Sequence, residues 1–328
     1  MQKVLVTGAS GFIAKHVVRE LLEKGYGVRG TVRSAERREE IEALFPDANI
    51  EFVDLDLMLD DRWEEALAGV DVLMHTASPF PNGNPKDPDK LIRPAVDGTI
   101  RAMKAAKAAG VKRVILTSSV AAIYKDSAKP PAQQSTEENW TDVSADYVTV
   151  YEASKTLAEK AAWKFADEND MQLTSINPGA VFGPAMDPNF GTSLQLVGEV
   201  MKGEFPLLPD INLSVVDVRD VAYMHVNAID NDATIGERFA ANSGAMSMVE
   251  VARTLADAYP DRKISSRKSP RWFLKVIARF DERVAQVAGN LGRNGDVEAT
   301  KAERVMGFTY IPNTEALLAS AEYIANNE

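Results

Sequence analysis

The chain has 328 residues, 45% of them hydrophobic, and carries a formal net charge of −11 at pH 7. This composition suffices for one large α/β domain or for a nucleotide domain with a smaller partner. An acidic chain binds nucleic acid poorly, so no nucleic-acid partner is expected. No apolar run approaches the roughly 20 residues of a membrane span. The first strand follows directly on the N-terminus, which predicts no signal peptide. Since cysteine is also absent, we expect a cytoplasmic protein without disulfides or membrane association.

A short apolar strand, a glycine turn and a helix are predicted at the N-terminus. Residues 4–6 read Val-Leu-Val, Gly8 and Gly11 follow, and an apolar helical stripe begins at Ile13. Gly8 would permit a tight turn, and Gly11 would let a pyrophosphate approach the helix N-terminus. Ala14 holds the third small position. This pattern is typical of a dinucleotide-binding unit, although a plain strand–helix connection stays open as the alternative.

The second strand, predicted over 26–33, ends on Arg33. Units that prefer NAD carry an acidic residue there, which binds the ribose 2′-hydroxyl. A guanidinium instead pairs with a 2′-phosphate, which a carboxylate would repel. We therefore predict NADP(H) as the cofactor, held by Arg33 and Arg37. A solvated helix start is the alternative for Arg37, because Glu39 and Glu40 follow it.

Strands and helices alternate as far as Pro184, which predicts a doubly wound parallel sheet of the Rossmann type. Further strands are predicted over 50–53, 70–74, 113–117 and 173–177, and helices over 61–67, 91–109 and 147–169. Beyond them, helices are predicted over 191–202, 218–229, 247–258, 271–287, 296–306 and 314–324, and strands over 213–218 and 237–241. We predict an NADP-binding domain of residues 1–180, to which 213–242 returns. Residues 181–212 and 243–328 would form a smaller substrate-binding lobe.

Tyr151 and Lys155 lie four residues apart on helix 147–169, so both occupy one face, one turn apart. A nearby ammonium favours phenolate and lowers a tyrosine pKa from about 10, which suits general acid–base catalysis. Ser119 follows strand 113–117 at the carboxyl edge of the sheet, where its hydroxyl could stabilise charge on a carbonyl oxygen. Ser118 stays open as the alternative, because strand alternation turns only one of the two serines toward a pocket.

The remaining side chains of that helix and the histidines are assigned to packing. The apolar face of helix 147–169 is predicted to be Val150, Ala153, Leu157, Ala161 and Phe165. The histidines His16, His75 and His225 lack metal-ligand spacing, so no metal site is predicted. His75 follows a strand near the predicted phosphates. We interpret it as a packing residue.

Taken together, the motifs resemble the extended short-chain dehydrogenases/reductases over essentially the whole chain. The segments that carry the resemblance are TGASGFIA at 7–14, TSS at 117–119, YEASK at 151–155, NPGAVFGP at 177–184 and VDVRDVA at 216–222. Residues 151–163 and the GTVR at 30–33 are similar to the dihydroflavonol-reductase and cinnamoyl-CoA-reductase branch.

This resemblance implies hydride transfer from NADPH to a carbonyl carbon, with Ser119, Tyr151 and Lys155 catalytic and Tyr151 as the proton donor. The implied cofactor residues are Gly8, Ser10, Gly11, Phe12, Ile13, Arg33, Arg37, Asp56, Leu57, Thr76, Ala77, Tyr151, Lys155, Pro178 and Val181. The implied substrate residues are Pro79, Phe80, Ile123, Tyr124, Phe182 and Met186, within a surface loop at 80–89 and the segment 182–190.

The residue at one position restricts the expected class of substrate. Flavonoid reductases of this branch typically carry Asn five residues after the catalytic serine, where this chain has Tyr124. The resemblance therefore favours microbial reductases of aldehydes, ketones or keto esters, acting reversibly as alcohol dehydrogenases on a small-molecule substrate. Two alternatives stay open: a nucleotide-sugar epimerase or dehydratase, which usually retains NAD, and a non-catalytic NADP(H)-sensing protein. Monomer and homodimer are both compatible with the sequence.

Overall fold

A seven-stranded parallel sheet forms the centre of the fold. The computed structural model describes residues 1–78, 87–128, 130, 133–270, 272 and 295–328. Within these residues the strand order is β3-β2-β1-β4-β5-β6-β9, and every pairing is parallel. The strands are β1 Lys3–Val6, β2 Gly27–Val32, β3 Ile50–Asp54, β4 Val72–His75, β5 Arg113–Thr117, β6 Gln172–Pro178 and β9 Arg238–Ala241. The predicted Rossmann-type fold is thereby confirmed.

Helices cover both faces of this sheet. The helices are α1 Phe12–Glu23, α2 Ala35–Leu44, α3 Trp63–Leu67, α4 Asp89–Ala108, α5 Val150–Glu168, α6 Thr192–Met201, α7 Val218–Asp230, α8 Met248–Ala258, α9 Thr300–Met306 and α10 Asn313–Asn326. One hydrophobic core joins the sheet to α1 and α7, and a second joins it to α3, α4 and α5. The strand order reverses between β1 and β4, and open α/β sheets bind ligands at such a switch point.

A second sheet, of three strands, lies in the C-terminal part of the fold. Strand β8 (Asn212–Asp217) pairs in parallel with β7 (Ala180–Phe182) and antiparallel with β10 (Gly244–Ser247). A third core packs this sheet against α6, α8 and α10. Of the stretch 213–242 that was predicted to rejoin the main sheet, β9 does so, whereas β8 belongs to the second sheet. Strands β7 and β10 were not predicted: β7 follows β6 after Gly179 alone, and β10 contains a single large apolar residue, Met246.

The chain passes between the two sheets at Gly179, which separates β6 from β7. A Cβ atom at this position would lie only 2.3 Å from the Ser214 carbonyl oxygen on β8. Only glycine admits so close an approach of the two backbones. The second sheet is therefore held directly beside the carboxyl end of β6.

Helix α5 buries a different face from the one predicted. The predicted apolar side chains, Val150 to Phe165, are only half-buried. The fully buried face carries the polar residues Glu152, Ser154, Thr156 and Glu159 between alanines. The apolar-face prediction was wrong because these polar groups have hydrogen-bond partners. Glu159 accepts from side chains of the sheet, and Glu152 accepts from Lys125. Ser154 and Thr156 donate to carbonyl oxygens of α5 itself.

Two predicted segments lie wholly or largely outside the described residues. The helix predicted over 271–287 is one, and the surface loop at 80–89, which includes the substrate candidate Phe80, is the other; Pro79 directly precedes it and is likewise not described. Along the described part of the chain, every helix is too short or too polar to cross a lipid bilayer.

Candidate active site

A cleft of about 740 Å³ opens at the carboxyl ends of β1, β4, β5 and β6, beside the second sheet. It runs from the glycine turn after β1 past the end of β5 to α6 and β8. The predicted site residues that line it are Gly8, Gly11, Phe12, Ile13, Arg33, Thr76, Ser119, Tyr124, Tyr151, Lys155, Pro178 and Val181. Side chains from separate motifs thus meet in one cavity.

The glycine turn forms one end of this cleft. Gly8 has a φ of +63°, a left-handed conformation that favours glycine, and its amide donates to Thr31 Oγ1 at 2.9 Å. Helix α1 then begins at Phe12, and its N-cap residue Gly11 supplies no capping side chain. The first-turn amides therefore lie at the cleft with the positive end of the helix dipole. These features fit a bound pyrophosphate.

The two arginines predicted to bind a 2′-phosphate differ in their surroundings. Arg33 is exposed at the end of β2 and lines the cleft. Arg37, on α2, donates to both carboxylate oxygens of Glu40 at 3.0 and 2.8 Å. Arg33 therefore fits a 2′-phosphate at this end of the cleft, whereas Arg37 is already paired with a carboxylate.

A loop after β7 is hydrogen-bonded both to helix α1 and to the glycine turn. The buried Lys15 ammonium of α1 donates to Asp187 and, at 2.9 Å, to the Asn189 carbonyl oxygen. The Asn189 side chain in turn donates to the Ser10 carbonyl oxygen at 2.8 Å. This loop thereby forms one wall of the cleft, although it is about 170 residues away in sequence from the turn.

Tyr151 and Lys155 lie in the first two turns of α5, beside Ser119. A capping box at Thr149 and Glu152 starts the helix and so fixes where its first turn lies. The Lys155 ammonium lies 5.9 Å from the centre of the Tyr151 ring. The Ser119 side chain hydrogen-bonds the Tyr151 phenol. The structure thus brings together the three residues predicted to be catalytic.

Burial controls the protonation of this group. It raises the pKa of Tyr151, and the hydrogen bond from Ser119 opposes that rise. It lowers the pKa of Lys155 to about 8, and the Glu159 carboxylate opposes that fall. The expected lowering of the Tyr151 pKa by Lys155 is therefore not found, because desolvation of the phenolate outweighs it. Tyr151 is consequently protonated at neutral pH, the state that a proton donor needs.

The structure separates the roles of the two adjacent serines. The Ser118 hydroxyl donates to Oε2 of the buried Glu159 at 2.5 Å. The Ser119 hydroxyl accepts the Ala121 amide hydrogen at 3.1 Å and faces Tyr151. Of the two alternatives left open by the sequence, Ser119 is therefore the one that faces the phenol.

The histidines take packing positions. His75 Nδ1 lies 2.9 Å from Thr7 Oγ1, and burial lowers the His75 pKa to about 4. His225 lies 2.7 Å from Thr117 Oγ1 and has its pKa lowered by burial to about 4 as well. Both imidazoles are therefore neutral at physiological pH, and they contact threonines at the ends of β1 and β5.

Residues 4–241 match the family model described as NAD dependent epimerase/dehydratase family. The chain belongs to this family. Cinnamoyl-CoA reductase 1 of Arabidopsis thaliana is 35% identical to it over 277 residues, which cover 82% of this chain and 79% of that protein. Anthocyanidin reductase of Vitis vinifera is 32% identical over 278 residues, with 79% and 81% covered. The crystal structure of yeast methylglyoxal/isovaleraldehyde reductase Gre2 complexed with NADPH matches with a TM-score of 0.82 and 29% identity, over 99% of each chain.

These relatives confirm the predicted place of the chain in the family. The resemblance to the cinnamoyl-CoA-reductase-like branch was inferred from short motifs, and two named plant reductases are similar over about four fifths of the chain. The likeness to Gre2 extends over nearly the whole chain, C-terminal part included.

Some site residues predicted from the family do not line the cleft. Among the cofactor candidates these are Ser10, Arg37, Asp56, Leu57 and Ala77, and among the substrate candidates Ile123, Phe182 and Met186. Ile123 and Phe182 are fully buried in hydrophobic cores. Met186 is half-buried on the loop after β7.

Sequence reasoning also missed part of the lining. Residues 191–193, Gln195, 211–214 and Gly295 line the cleft, and no local motif marks them because α6 and β8 supply most of them. Glu159, behind Ser118, was missed as well. Its position four residues after Lys155 on a helix was the one available signal.

Proposed function

We propose that this protein is an NADPH-dependent reductase that converts the carbonyl group of an aldehyde, ketone or keto ester to an alcohol. One observation carries the proposal: Ser119, Tyr151 and Lys155 meet at one wall of the cleft, in line with the glycine turn. Family membership and the named reductase relatives support the broader class, an oxidoreductase.

NADP(H) is the cofactor, and it supplies the hydride for the carbonyl carbon. The amides of Gly11 to Ile13 bind its pyrophosphate, and Arg33 pairs with its 2′-phosphate. The Lys155 ammonium binds the hydroxyls of the ribose beside the nicotinamide. The yeast relative with NADPH in its crystal structure supports this assignment, as does the absence of an acidic side chain at the end of β2.

Tyr151 donates the proton to the carbonyl oxygen. Its raised pKa keeps the phenol protonated at neutral pH. As the carbonyl oxygen becomes basic during reduction, the proton passes from the Tyr151 hydroxyl to that oxygen. The Lys155 ammonium then stabilises the phenolate that remains.

Ser119 positions the carbonyl oxygen for this transfer. Its backbone and hydroxyl are held at the end of β5 by bonds to Ala121 and Asn177. From there the hydroxyl can donate to the same oxygen and stabilise the charge that develops on it. Tyr124 and Gln195 also line the cleft, and we assign them to its substrate end.

A screen of aromatic and aliphatic aldehydes, ketones and keto esters with purified protein tests the proposal. We expect NADPH oxidation at 340 nm with at least one carbonyl class, and much slower oxidation of NADH. Equal rates with the two cofactors would contradict the role of Arg33. NAD that stays bound through purification, together with turnover of a nucleotide sugar, would instead favour the epimerase alternative.

A further inference from the structure

Glu159 is a fully buried carboxylate at the back of the active-site wall. It lies on α5 one turn beyond Lys155 and two turns beyond Tyr151, so the three residues share one face of the helix. A buried charge is costly unless several donors compensate it. The proposed roles of Tyr151, Lys155 and Ser119 do not explain why the Glu159 carboxylate is buried here.

Donors from β6, from β9 and from the residue after β5 surround the Glu159 carboxylate. Oε2 accepts from Ser118 Oγ at 2.5 Å and from Asn177 Nδ2 at 2.7 Å, and Oε1 accepts from Ser175 Oγ at 3.0 Å. Arg238 Nε donates to Oε1 at 2.7 Å. Trp163 Nε1 also donates to Oε1, at 3.2 Å. Burial alone would raise the pKa of Glu159, but Arg238 and the hydrogen bonds from Ser118 and Trp163 hold it below its ordinary value. The group is therefore an anion at neutral pH.

Two of these contacts continue directly to the catalytic serine. Ser118 precedes Ser119, so its bond to Glu159 sets the direction in which the chain leaves β5. Asn177 spans the same gap, because its amide nitrogen donates to Glu159 and, at 3.1 Å, to the Ser119 carbonyl oxygen. With Ser118 turned toward Glu159, strand alternation turns Ser119 toward Tyr151.

Glu159 also acts on Lys155 through its negative charge. The Lys155 ammonium makes no ion pair within the described residues, and the carboxylate of Glu159 favours its protonated form. The titratable and charged groups that face these residues are His75 at the end of β4, Tyr124 after β5, Tyr151 and Glu152 on α5, and Arg238 on β9.

We propose that Glu159 is a positioning residue for the reduction, which aims Ser119 at Tyr151 through Ser118 and Asn177 and places a buried carboxylate one helical turn from Lys155. This inference rests on the proposed carbonyl reduction and deepens it. A purely structural anchor would stabilise the fold without changing the protonation of the active-site group, so the dependence of activity on pH separates the two roles.

The decisive variant is Glu159→Gln, which removes the charge and keeps the size. In the wild type we expect the rate constant for reduction to fall as pH rises through about 8, as Lys155 loses its proton. In the variant this basic limb should move to lower pH by about half a unit or more, because the Glu159 carboxylate no longer favours the protonated form of Lys155. The plateau rate constant should fall about tenfold. A lower Tm with an unmoved limb and an unchanged plateau would overturn the inference.

Ser118→Ala and Ser175→Ala form a matched pair, since each removes one hydroxyl donor to the same carboxylate. Only Ser118 adjoins Ser119, so its variant should lose kcat by about fivefold or more, whereas the Ser175 variant should stay within about twofold of wild type. Neither should move the basic limb. Equal rates in the two variants would contradict positioning through Ser118, and this holds even if Glu159→Gln fails to fold.

A titration that does not depend on turnover distinguishes a failure of this inference from a failure of the proposed function. Phenolate absorbance near 295 nm is titrated in wild type and in Glu159→Gln, each corrected by subtracting the same protein with Tyr151→Phe. We expect Tyr151 in the Glu159 variant to ionise at higher pH, because the Ser119 hydrogen bond that opposes the rise of its pKa is then no longer aimed at the phenol. A wild type without carbonyl turnover would refute the proposed function, whereas identical Tyr151 titrations would refute the role of Glu159.

Discussion

The two ends of the cleft are built in different ways. At the cofactor end, the glycine turn, Arg33 and Thr76 each directly follow a strand of the parallel sheet. At the substrate end, the lining comes from α6, from β8 and from Gly295. The parallel sheet by itself brings the strand ends together at one edge, whereas the substrate end exists only because a second sheet packs beside it.

This difference has a physical consequence for specificity. Backbone amides and a strand-end arginine recognise phosphates, which every NADP(H) molecule carries. Exposed polar side chains such as Gln195 on α6 are free to change without disturbing the parallel sheet. We therefore expect substitutions at the cofactor end to change cofactor affinity, those at the substrate end to change substrate KM, and those at the junction to change the rate of chemistry.

The largest effect is expected at the junction, from Tyr151→Phe. The substitution removes the proton donor and keeps the ring, so kcat for carbonyl reduction should fall about 100-fold or more. The dissociation constant of NADPH, measured by fluorescence titration, should be essentially unchanged. Tyr26→Phe is the control, because Tyr26 donates to Asp230 at the protein surface and its loss should leave kcat unaltered. Full activity in the Tyr151 variant would remove it from the mechanism.

The same contrast explains how much the sequence could predict. Gly8, Ser119, Tyr151 and Lys155 stand in short motifs whose spacing fixes them relative to strand and helix ends, so the fold and the predicted catalytic group follow from local patterns. The lining residues of α6 and β8 depend on which strands pair in the second sheet. Strands β7 and β10 pair with β8 from separate segments of the chain, and no local pattern signals that pairing.

Helix α5 shows a second limit. The rule that apolar residues face the core led to the wrong face, because Glu152 and Glu159 are buried with partners from distant segments. Glu152 accepts from Lys125 at 2.7 Å, and Glu159 from Arg238 at 2.7 Å. These cations lie 27 and 79 residues away in the chain. Only the tertiary fold reveals that their charges are compensated.

An intermediate effect is expected at the cofactor end, from Arg33→Ser. Loss of the guanidinium should weaken NADPH binding about tenfold and leave NADH binding nearly unchanged, because only NADPH carries the 2′-phosphate. Arg38→Ser on the neighbouring helix is the control, since Arg38 is bonded to Glu42 at 2.8 Å. Parallel fluorescence titrations with both nucleotides give the answer. Equal weakening for NADPH and NADH would mean that Arg33 supports the turn rather than the phosphate.

The smallest effect is expected at the substrate end, from Gln195→Ala. Gln195 is exposed on α6 and lines the cleft, so its loss removes one polar contact to a substrate without unfolding the helix. KM for the carbonyl compound should rise about threefold, with KM for NADPH unchanged. Glu199→Ala, one turn further along α6, should alter neither constant. If instead the Gln195 variant raised KM for NADPH, the cofactor would extend to α6, and the division of the cleft into two ends would have to be redrawn.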